Sequence, residues 1–331
     1  MALWYFAFVV GALVSLATSW LLVTRLERIG ERFGFSEALL GVVVALAADA
    51  PEITSAIAAI GQHERSIGAG VVIGSNVFNL AALLGLGAIV AGFIALHRRV
   101  VVFAGVIAMV IALCATLSAF GTLDASASLG TCAILLGVLF VGLGVRRDAL
   151  FHFHLPKGVA RWIARAIDEE EIELAIAIRP TRAKGRDIIM APAALIIVVI
   201  SSVAMERGAS HLGHHFHIAN VIIGALILAA VTSLPNVVAA VYLAARGRGA
   251  AALSTALNSN NLNVVAGLLI PGSIIGLGPP NFPGELTALS YLVLTLAVLI
   301  MAFALSGLNR RAGAALIIAY VAFAIWLVAV S

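Results

Sequence analysis

The stretch Ala45–Asn79 reads ALAADAPEITSAIAAIGQHERSIGAGVVIGSNVFN, and it carries the residues that decide the fold. Asp49, Pro51 and Glu52 interrupt a run that is otherwise apolar enough for a membrane interior. Carboxylates are costly in that environment and mark functional sites, and a proline removes a backbone hydrogen bond and breaks a helix. The polar tripeptide Gly74-Ser75-Asn76 follows inside a second apolar run. This pattern predicts half of an ion-binding site at a broken membrane helix.

The composition of the whole chain excludes a soluble protein. Of its 331 residues, 62% are hydrophobic and 11% are charged, whereas soluble domains carry about 25% charged residues. The net charge of +4 is no sign of a nucleic-acid partner, because the basic residues lie in short loops between apolar runs. Cys114 and Cys132 lie in apolar runs and are expected to be packed side chains. No nucleophile–base set or metal-ligand motif appears in the apolar runs, so we expect neither an enzyme nor a cofactor.

Apolar segments of about the length that crosses a bilayer recur along the chain. The first, Ala2–Val23, has no basic region before it and is too long for the apolar core of a signal peptide, so it is expected to be a membrane span. The fold class predicted is an all-α polytopic membrane protein with ten transmembrane helices. The ten segments lie at about 2–24, 37–60, 67–93, 100–120, 126–145, 187–205, 218–245, 250–276, 286–306 and 312–330.

The distribution of basic residues predicts the orientation in the cell membrane. With the N-terminus outside, 18 of the 20 Lys and Arg residues fall in cytoplasmic loops. Both termini then lie outside, and the central loop at 146–186 is cytoplasmic. Within that loop, Lys157–Ile167 has an apolar face and basic residues elsewhere. It suits an interfacial helix on anionic lipid, which would make membrane lipids a partner, or a short linker helix packed on the protein.

The two halves of the chain repeat each other. A shift of 184 residues lays Ala45–Asn79 on residues 229–263 without a gap, and it aligns Pro51 with Pro235 and Asn76 with Asn260. The sequence thus divides into a first five-helix repeat at 1–145, the loop at 146–186, and a second five-helix repeat at 187–331. An odd number of spans in each half forces the two repeats into opposite orientations. Such inverted repeats place a substrate site at the membrane midplane, where broken helices meet.

The residues around the two breaks have the chemistry of a cation site. A break beside each proline is expected to free backbone carbonyls, those of Ala45 and Ala229, which need partners away from water. Asp49 and Glu52 are three residues apart and share a helical face, so they cannot both stay ionised in a dry site without a cation or a proton between them. These two carboxylates are the predicted metal ligands. Neutral oxygens would complete the shell, from the amides of Asn76, Asn236 and Asn260 and the hydroxyls of Ser75, Thr232, Ser233 and Ser259.

Each polar feature also has a structural interpretation. The two carboxylates could pair with a neighbouring span, but no Lys or Arg lies clearly inside one. Asn79 and Asn263 are assigned to hydrogen bonding between helices. A cluster of histidines could bind zinc or sense pH, but it has no firm ligand spacing and is assigned to a solvated outer loop. Its members are His211, His214, His215 and His217.

The two repeats resemble those of the sodium/calcium exchangers, within the calcium/cation antiporter superfamily. The family repeats read roughly G-T-S-x-P-E and then G-S-N-x-F-N. The first copy here is 47–52, AADAPE, followed by 74–79, GSNVFN. The second is 231–236, VTSLPN, followed by 258–263, NSNNLN. The resemblance implies ten helices, outside termini, and antiport of cations by alternating access, often of calcium against sodium or protons.

This sequence departs from the family pattern at the acids. The resemblance implies that the motif glutamates of both repeats bind the ion, and Glu52 matches the first of them while Asn236 replaces the second. Asn260 stands where aspartate is common, and Asp49 stands where the first motif has serine. Both carboxylates therefore come from one repeat. The sequence favours an antiporter of calcium or another divalent cation against sodium or protons. The alternatives are a proton- or monovalent-cation exchanger, or a cation-binding membrane protein that does not transport.

Overall fold

The computed structural model describes residues 1–32, 45–144, 185–245, 247 and 249–331. The described chain is almost entirely helical, which confirms the all-α fold class. The interfacial helix predicted at Lys157–Ile167 and the first part of the second predicted span lie outside the described residues. Of the central segment predicted at 146–186, only its last two residues are described, and they begin a long helix.

In the first half, the described residues form six α-helices, one π-helical segment and one short strand. Residues 45–48 are also helical and precede a turn at Asp49. The elements are α1 Ala2–Arg32, α2 Ala50–Gly61, α3 Arg65–Asn79, π1 Leu80–Leu86, α4 Gly87–Ala91, β1 Phe93–Ala95, α5 Arg98–Ala119 and α6 Ala125–Gly144.

The described part of the second half has the same order of long helices, but its strand lies after the helix equivalent to α5 and not before it. Its elements are α7 Gly185–His215, α8 Asn220–Ile222, π2 Ile223–Leu228, α9 Ala229–Thr232, α10 Leu234–Ala245, α11 Gly249–Leu262, π3 Asn263–Leu269, α12 Ile270–Ile275, α13 Phe282–Ala304, β2 Gly307–Asn309 and α14 Arg310–Val330. The strand β1 pairs with β2 in antiparallel register, with Ile94 opposite Leu308. This small ladder joins two loops on one face of the molecule, and the apolar pattern did not predict it.

Six of the described helices are long and apolar enough to cross a membrane. They are Ala2–Leu26, Arg65–Ala91, Arg98–Ala119, Gly185–His215, Phe282–Ala304 and Arg310–Val330, and Ala125–Gly137 and Asn220–Thr232 are shorter apolar helices. The most apolar window of Arg65–Ala91 is 89% buried, whereas that of Arg310–Val330 is 22% buried. The α3–π1–α4 helix is therefore central, and α14 lies at the lipid-facing edge.

Equivalent helices of the two halves run in opposite directions. At one end of the α1–α7 pair Trp4 stacks on His211, and at the other Arg25 bonds Asp187. Between them Ser15 and Ser202 share a hydrogen bond of 2.7 Å. As the residue number rises along α1, that of its contact on α7 falls. The pairing is therefore antiparallel, as an inverted repeat requires.

The other long pair of equivalent helices, α5 and α13, shows the same inversion. A Cβ added at Gly105 of α5 would meet Leu299 of α13, while Thr116 further along α5 donates to the Ala288 carbonyl at 3.1 Å. Here too, as the residue number rises along α5, the number of the residue contacted on α13 falls. Two independent helix pairs thus relate the halves by a pseudo-twofold axis in the membrane plane.

Glycines of α3 bring the backbones of the two repeats together. A Cβ added at Gly74 would clash with the backbone of Ala225 in π2, and one at Gly70 would lie 3.0 Å from the Ala225 nitrogen. On the other side, Gly224 lies against the carbonyl of Ile67. Small residues at these points allow the close helix contact that packing in a membrane relies on. This contact fixes the position of the residues that follow Gly74.

Candidate cation-binding site

Both predicted helix breaks are present, and their backbones match. Asp49 has φ −82° and ψ −4° before α2, and Ser233 has φ −79° and ψ −8° before α10. Pro51 and Pro235 lie two residues further on, in the first turn of the new helix, where proline is well tolerated. The equivalent breaks face each other across the pseudo-twofold axis. Asp49 and Glu52, carried by the first break, are both fully buried.

Asp49 is held by the second repeat. Its Oδ1 accepts hydrogen bonds of 2.6 Å from the Asn236 amide nitrogen and of 2.6 Å from the Ser259 hydroxyl. The two donors also contact each other at 3.3 Å. Hydrogen bonds to a charged acceptor are shorter and stronger than neutral ones, so these lengths suit a carboxylate. The predicted site residues Asn236 and Ser259 thus lie at Asp49.

Glu52 is also held by the second repeat. Its Oε1 accepts a hydrogen bond from the Ser233 hydroxyl, and its Oε2 accepts one of 2.6 Å from the Asn263 amide nitrogen. Asn263 was expected to have a purely structural role, yet it touches a carboxylate directly. The signal that could have found it is its position three residues after Asn260, on the same helical face.

Asn76 and Asn260 lie on the pseudo-twofold axis and bond each other's backbones. The amide nitrogen of each donates to the carbonyl oxygen of the other, and both distances are 3.1 Å. The flanking asparagines follow the same symmetry, because Asn79 donates to the Asn260 side chain at 3.0 Å and Asn263 donates to the Asn76 side chain at 3.4 Å. These reciprocal bonds join the centres of the two repeats beside the carboxylates.

Four of the predicted site residues make only local hydrogen bonds here. Ser75 donates to the Val72 carbonyl of its own helix at 3.0 Å, and Thr232 donates to the Leu228 carbonyl at 2.9 Å. The expectation that the prolines free the carbonyls of Ala45 and Ala229 needs correction. The Ala45 carbonyl accepts from the Asp49 N–H at 2.9 Å, and the Ala229 carbonyl accepts from the Ser233 N–H at 3.2 Å.

The reason for that correction lies in where each proline sits. A proline removes the hydrogen bond to the residue four positions before it, so the carbonyls that lose this donor are those of Ala47 and Val231. The Val231 carbonyl accepts a hydrogen bond from another backbone N–H at the end of its helix. Ser19 of α1 donates its hydroxyl to the Ala47 carbonyl at 3.2 Å. The carbonyl at the break in the first repeat therefore has its hydrogen-bond donor in the neighbouring helix α1.

The donor set fits a cation. Among the described residues, no Lys, Arg or His forms an ion pair with Asp49 or Glu52. Three buried acceptor oxygens around the carboxylates have no hydrogen-bond partner there: Asp49 Oδ2, Asn79 Oδ1 and Asn263 Oδ1. In the described part of the chain no three His, Cys, Asp or Glu residues come together as a metal cluster. An ion at this site would therefore rest on two carboxylates and on neutral oxygens, the ligands that hard cations prefer.

The histidine cluster does not converge on a common point within the described residues. His211 stacks on Trp4 with ring centroids 3.7 Å apart, His214 Nε2 lies 3.3 Å from Glu64, and His215 packs edge-on against Phe216. The expectation of a solvated loop needs correction, because the helix α7 continues to His215 and these contacts tie its C-terminal end to its neighbours. Cys114 and Cys132 are free and buried.

Comparison with known proteins identifies the family. The chain matches the sodium/calcium exchanger protein family over residues 3–146 and 188–329. It is 25% identical over 287 residues to the inner membrane protein YrbG of Escherichia coli strain K12, covering 86% of this chain and 81% of that one. It is 38% identical to CaxA of Alkalimonas amylolytica over only 84 residues, which is 25% of this chain and 26% of that protein.

Two solved structures share the fold at low sequence identity. A crystal structure of the H⁺/Ca²⁺ exchanger CAX superposes with a TM-score of 0.71 at 14% identity, covering 99% of this chain and 85% of that one. The sodium-calcium exchanger NCX_Mj superposes with a TM-score of 0.61 at 20% identity, covering 97% of each chain. Since the family match extends over both repeats and leaves out little beyond the central segment, this chain belongs to the sodium/calcium exchanger family of secondary transporters.

Proposed function

We propose that this protein is a secondary antiporter that exchanges calcium or another divalent cation against sodium or protons by alternating access. The observation that carries the proposal is the pair of fully buried carboxylates at the first helix break, which lie against each other and accept hydrogen bonds only from neutral donors among the described residues. Two negative charges in a dry site need two positive charges beside them. One divalent cation or two protons can supply these two positive charges. An exchanger requires a site that accepts either of two ions in turn.

The four groups that now hold the carboxylates can also bind a metal ion. Each of Ser233, Ser259, Asn236 and Asn263 carries an oxygen as well as the proton it donates. Rotation of a hydroxyl or reversal of an amide replaces a donated hydrogen bond by a lone pair. The same side chains then either hold the two carboxylates or join them around a cation. The amides of Asn76 and Asn260 contribute further oxygens at the axis.

Access to the site would change by movement of one helix group against another. The α1–α7 pair lies beside the broken helices, and sliding or rocking of such a group opens the site to one side at a time. We place both termini outside and the central loop in the cytoplasm of a cell-membrane protein, as the bias of basic residues indicates.

A proton- or monovalent-cation exchanger is the second candidate. Three of the four carboxylate oxygens accept hydrogen bonds from neutral donors, and only Asp49 Oδ2 lacks one among the described residues. In addition, Asn236 and Asn260 replace acids implied by the family resemblance. A site with less charge binds a divalent ion more weakly and releases protons or monovalent ions more readily.

Reconstituted vesicles distinguish these functions. Purified protein is placed in proteoliposomes with a sodium or a proton gradient, and uptake of labelled calcium, manganese and potassium is followed. Gradient-driven calcium or manganese uptake is expected, while potassium uptake alone would favour the second candidate. A complete lack of exchange, with cation binding retained, would favour a binding protein that does not transport.

Glu52→Gln tests the carboxylate at the site itself. Loss of one carboxylate charge about 4 Å from the ion costs about 4 kcal/mol per unit of ion charge at an effective dielectric constant of about 20, so divalent binding is expected to weaken by about a thousand-fold or more. Glu285→Gln is the matched control, because it makes the same change in the first turn of α13. Exchange by the Glu52→Gln variant with wild-type half-saturation would contradict the proposed function.

A further inference from the structure

The helix α13 carries a buried row of hydroxyl groups that its counterpart in the first repeat lacks. The three side chains lie four residues apart, on one helical face, and each is 1% exposed. The 184-residue shift pairs them with apolar residues of α5. The hydroxyl row is Thr287, Tyr291 and Thr295, and the aligned residues are Phe103, Ile107 and Ile111.

Tyr291 differs from the two threonines because its hydroxyl is unsatisfied. Thr287 donates to the Pro283 carbonyl and Thr295 donates to the Tyr291 carbonyl, both at 2.8 Å. The Tyr291 hydroxyl lies beside the Asn76 side chain but has no hydrogen-bond partner within the described chain. A buried polar group left unpaired is costly, and native proteins seldom keep one without a reason. A phenylalanine would fill the same space without that cost.

A cavity leads from the outer loops towards this hydroxyl. It has a volume of about 40 Å³ and lies between α3 and α13, with Gly70, Ile73 and Thr287 in its wall. Ile73 is three residues before Asn76, and Thr287 is one turn before Tyr291. A wider opening of about 450 Å³ shares the wall residues Arg65 and Ser66 at the outer loops. The smaller cavity has room for water and extends as far as Thr287, so water in it lies one helical turn from Tyr291.

We propose that the Tyr291 hydroxyl belongs to the cation site and hydrogen-bonds a water molecule that hydrates the bound ion beside the Asn76 amide. This inference rests on the proposed function for its ion but not on transport itself. It makes α13 a third wall of a site otherwise built by the broken helices of the two repeats. Tyr291 is a positioning residue in this role, because it acts on the ion through water.

Tyr291→Phe removes only the hydroxyl. The calcium concentration for half-maximal binding and exchange is expected to rise roughly three- to ten-fold, as loss of one hydrogen bond between neutral groups predicts. The maximal exchange rate changes less than the half-saturation does. Thermal unfolding of the calcium-free protein in detergent stays the same or shifts upward, because an unpaired buried group is gone. Tyr320→Phe is the control, since it also removes one tyrosine hydroxyl, from a ring of α14 that packs edge-on against Phe78.

Two readouts separate this inference from the proposed function. Calcium binding is measured as the calcium-dependent rise in unfolding temperature in detergent, and exchange is measured in proteoliposomes. Weaker calcium binding by Tyr291→Phe supports the inference even if the wild-type protein does not exchange, in which case only the proposed function fails. Equal half-saturation for the variant and the wild type overturns the inference while leaving exchange intact. Failure of the wild-type protein to bind calcium overturns it as well.

Discussion

Restoring an acid to the second repeat should make the protein depend on a bound cation. Asn236→Asp is nearly isosteric and replaces the amide nitrogen that lies 2.6 Å from Asp49 Oδ1. A donated hydrogen bond thus becomes a contact between two carboxylates. Both positions are buried, since Asp49 is fully covered and Asn236 is 2% exposed. Solvent cannot screen this pair, so the repulsion has to be relieved by a proton or by a metal ion.

The size of the effect follows from the short contact. Two unit charges about 4 Å apart repel by about 4 kcal/mol at an effective dielectric constant of about 20. We expect the cation-free variant to lose stability by up to that amount at alkaline pH and to regain it as the pH falls and a proton binds between the acids. A divalent cation gains a third carboxylate, which strengthens its binding by up to about a thousand-fold.

Thermal unfolding in detergent, with calcium titrated at two pH values, measures both effects. A ligand that binds only the folded state raises its stability with the logarithm of concentration over the dissociation constant, so the variant should respond at much lower calcium than the wild type. The control is Asn258→Asp on the same helix as Ser259, where the half-buried amide bonds Ser254 at 3.1 Å. Calcium should not rescue that control.

The outcome that would refute this reasoning is specific. If the Asn236→Asp variant unfolds at the wild-type temperature at alkaline pH and shows the wild-type calcium response, then the two side chains do not share a site. The same conclusion follows if calcium rescues the Asn258→Asp control equally well, because the effect of calcium would then be general.

Two further predictions concern the contacts that position the site. Gly74→Ala should lower the unfolding temperature and block exchange, because the added Cβ meets the backbone of Ala225. The control Gly130→Ala has open space around the added Cβ and should be neutral or slightly stabilising. Equal unfolding temperatures for the two variants would contradict this prediction. Arg25→Ala should destabilise by about 1–2 kcal/mol, less than the loss expected for a fully uncompensated buried charge, because it removes the 2.7 Å partner of the buried Asp187 while Arg28 remains at 4.0 Å. The double variant with Asp187→Asn should recover part of that loss in a thermal-unfolding cycle, and strict additivity would show that the pair is not coupled.

The functional carboxylates could be predicted from the sequence because the free-energy cost of a charge in a membrane does not depend on structural detail. The symmetry axis could be predicted from the sequence repeat. Asp49 and Glu52 had to be functional or paired, and the 184-residue repeat already set Asn76 against Asn260. The direction of small polar side chains was not predictable in this way. Ser75 has the spacing of a site residue, yet its hydroxyl donates a hydrogen bond to a carbonyl of its own helix. A serine hydroxyl can form such a bond in any helix.

The π-helical segments account for another part of what spacing could not predict. The segment π3 begins at Asn263, directly after α11, and it changes the helical phase of the residues that follow. A regular helix extrapolated through this point places Asn263 correctly relative to Asn260 but misplaces later side chains. Apolar runs of Leu, Val and Ala contain no signal for such a segment, since any phase buries them equally well.

The inverted pairing of the two halves has a consequence for the electric field across the membrane. The pseudo-twofold axis passes between Asn76 and Asn260 and exchanges Asp49 with Ser233. With matched acids, the fixed charge of the site would be centred on that axis. Here both carboxylates belong to one repeat, and the axis relates them to the neutral side chains of Ser233 and Asn236. For the proposed exchanger we therefore expect the outward- and inward-facing states to differ in ion affinity and to respond unequally to membrane voltage.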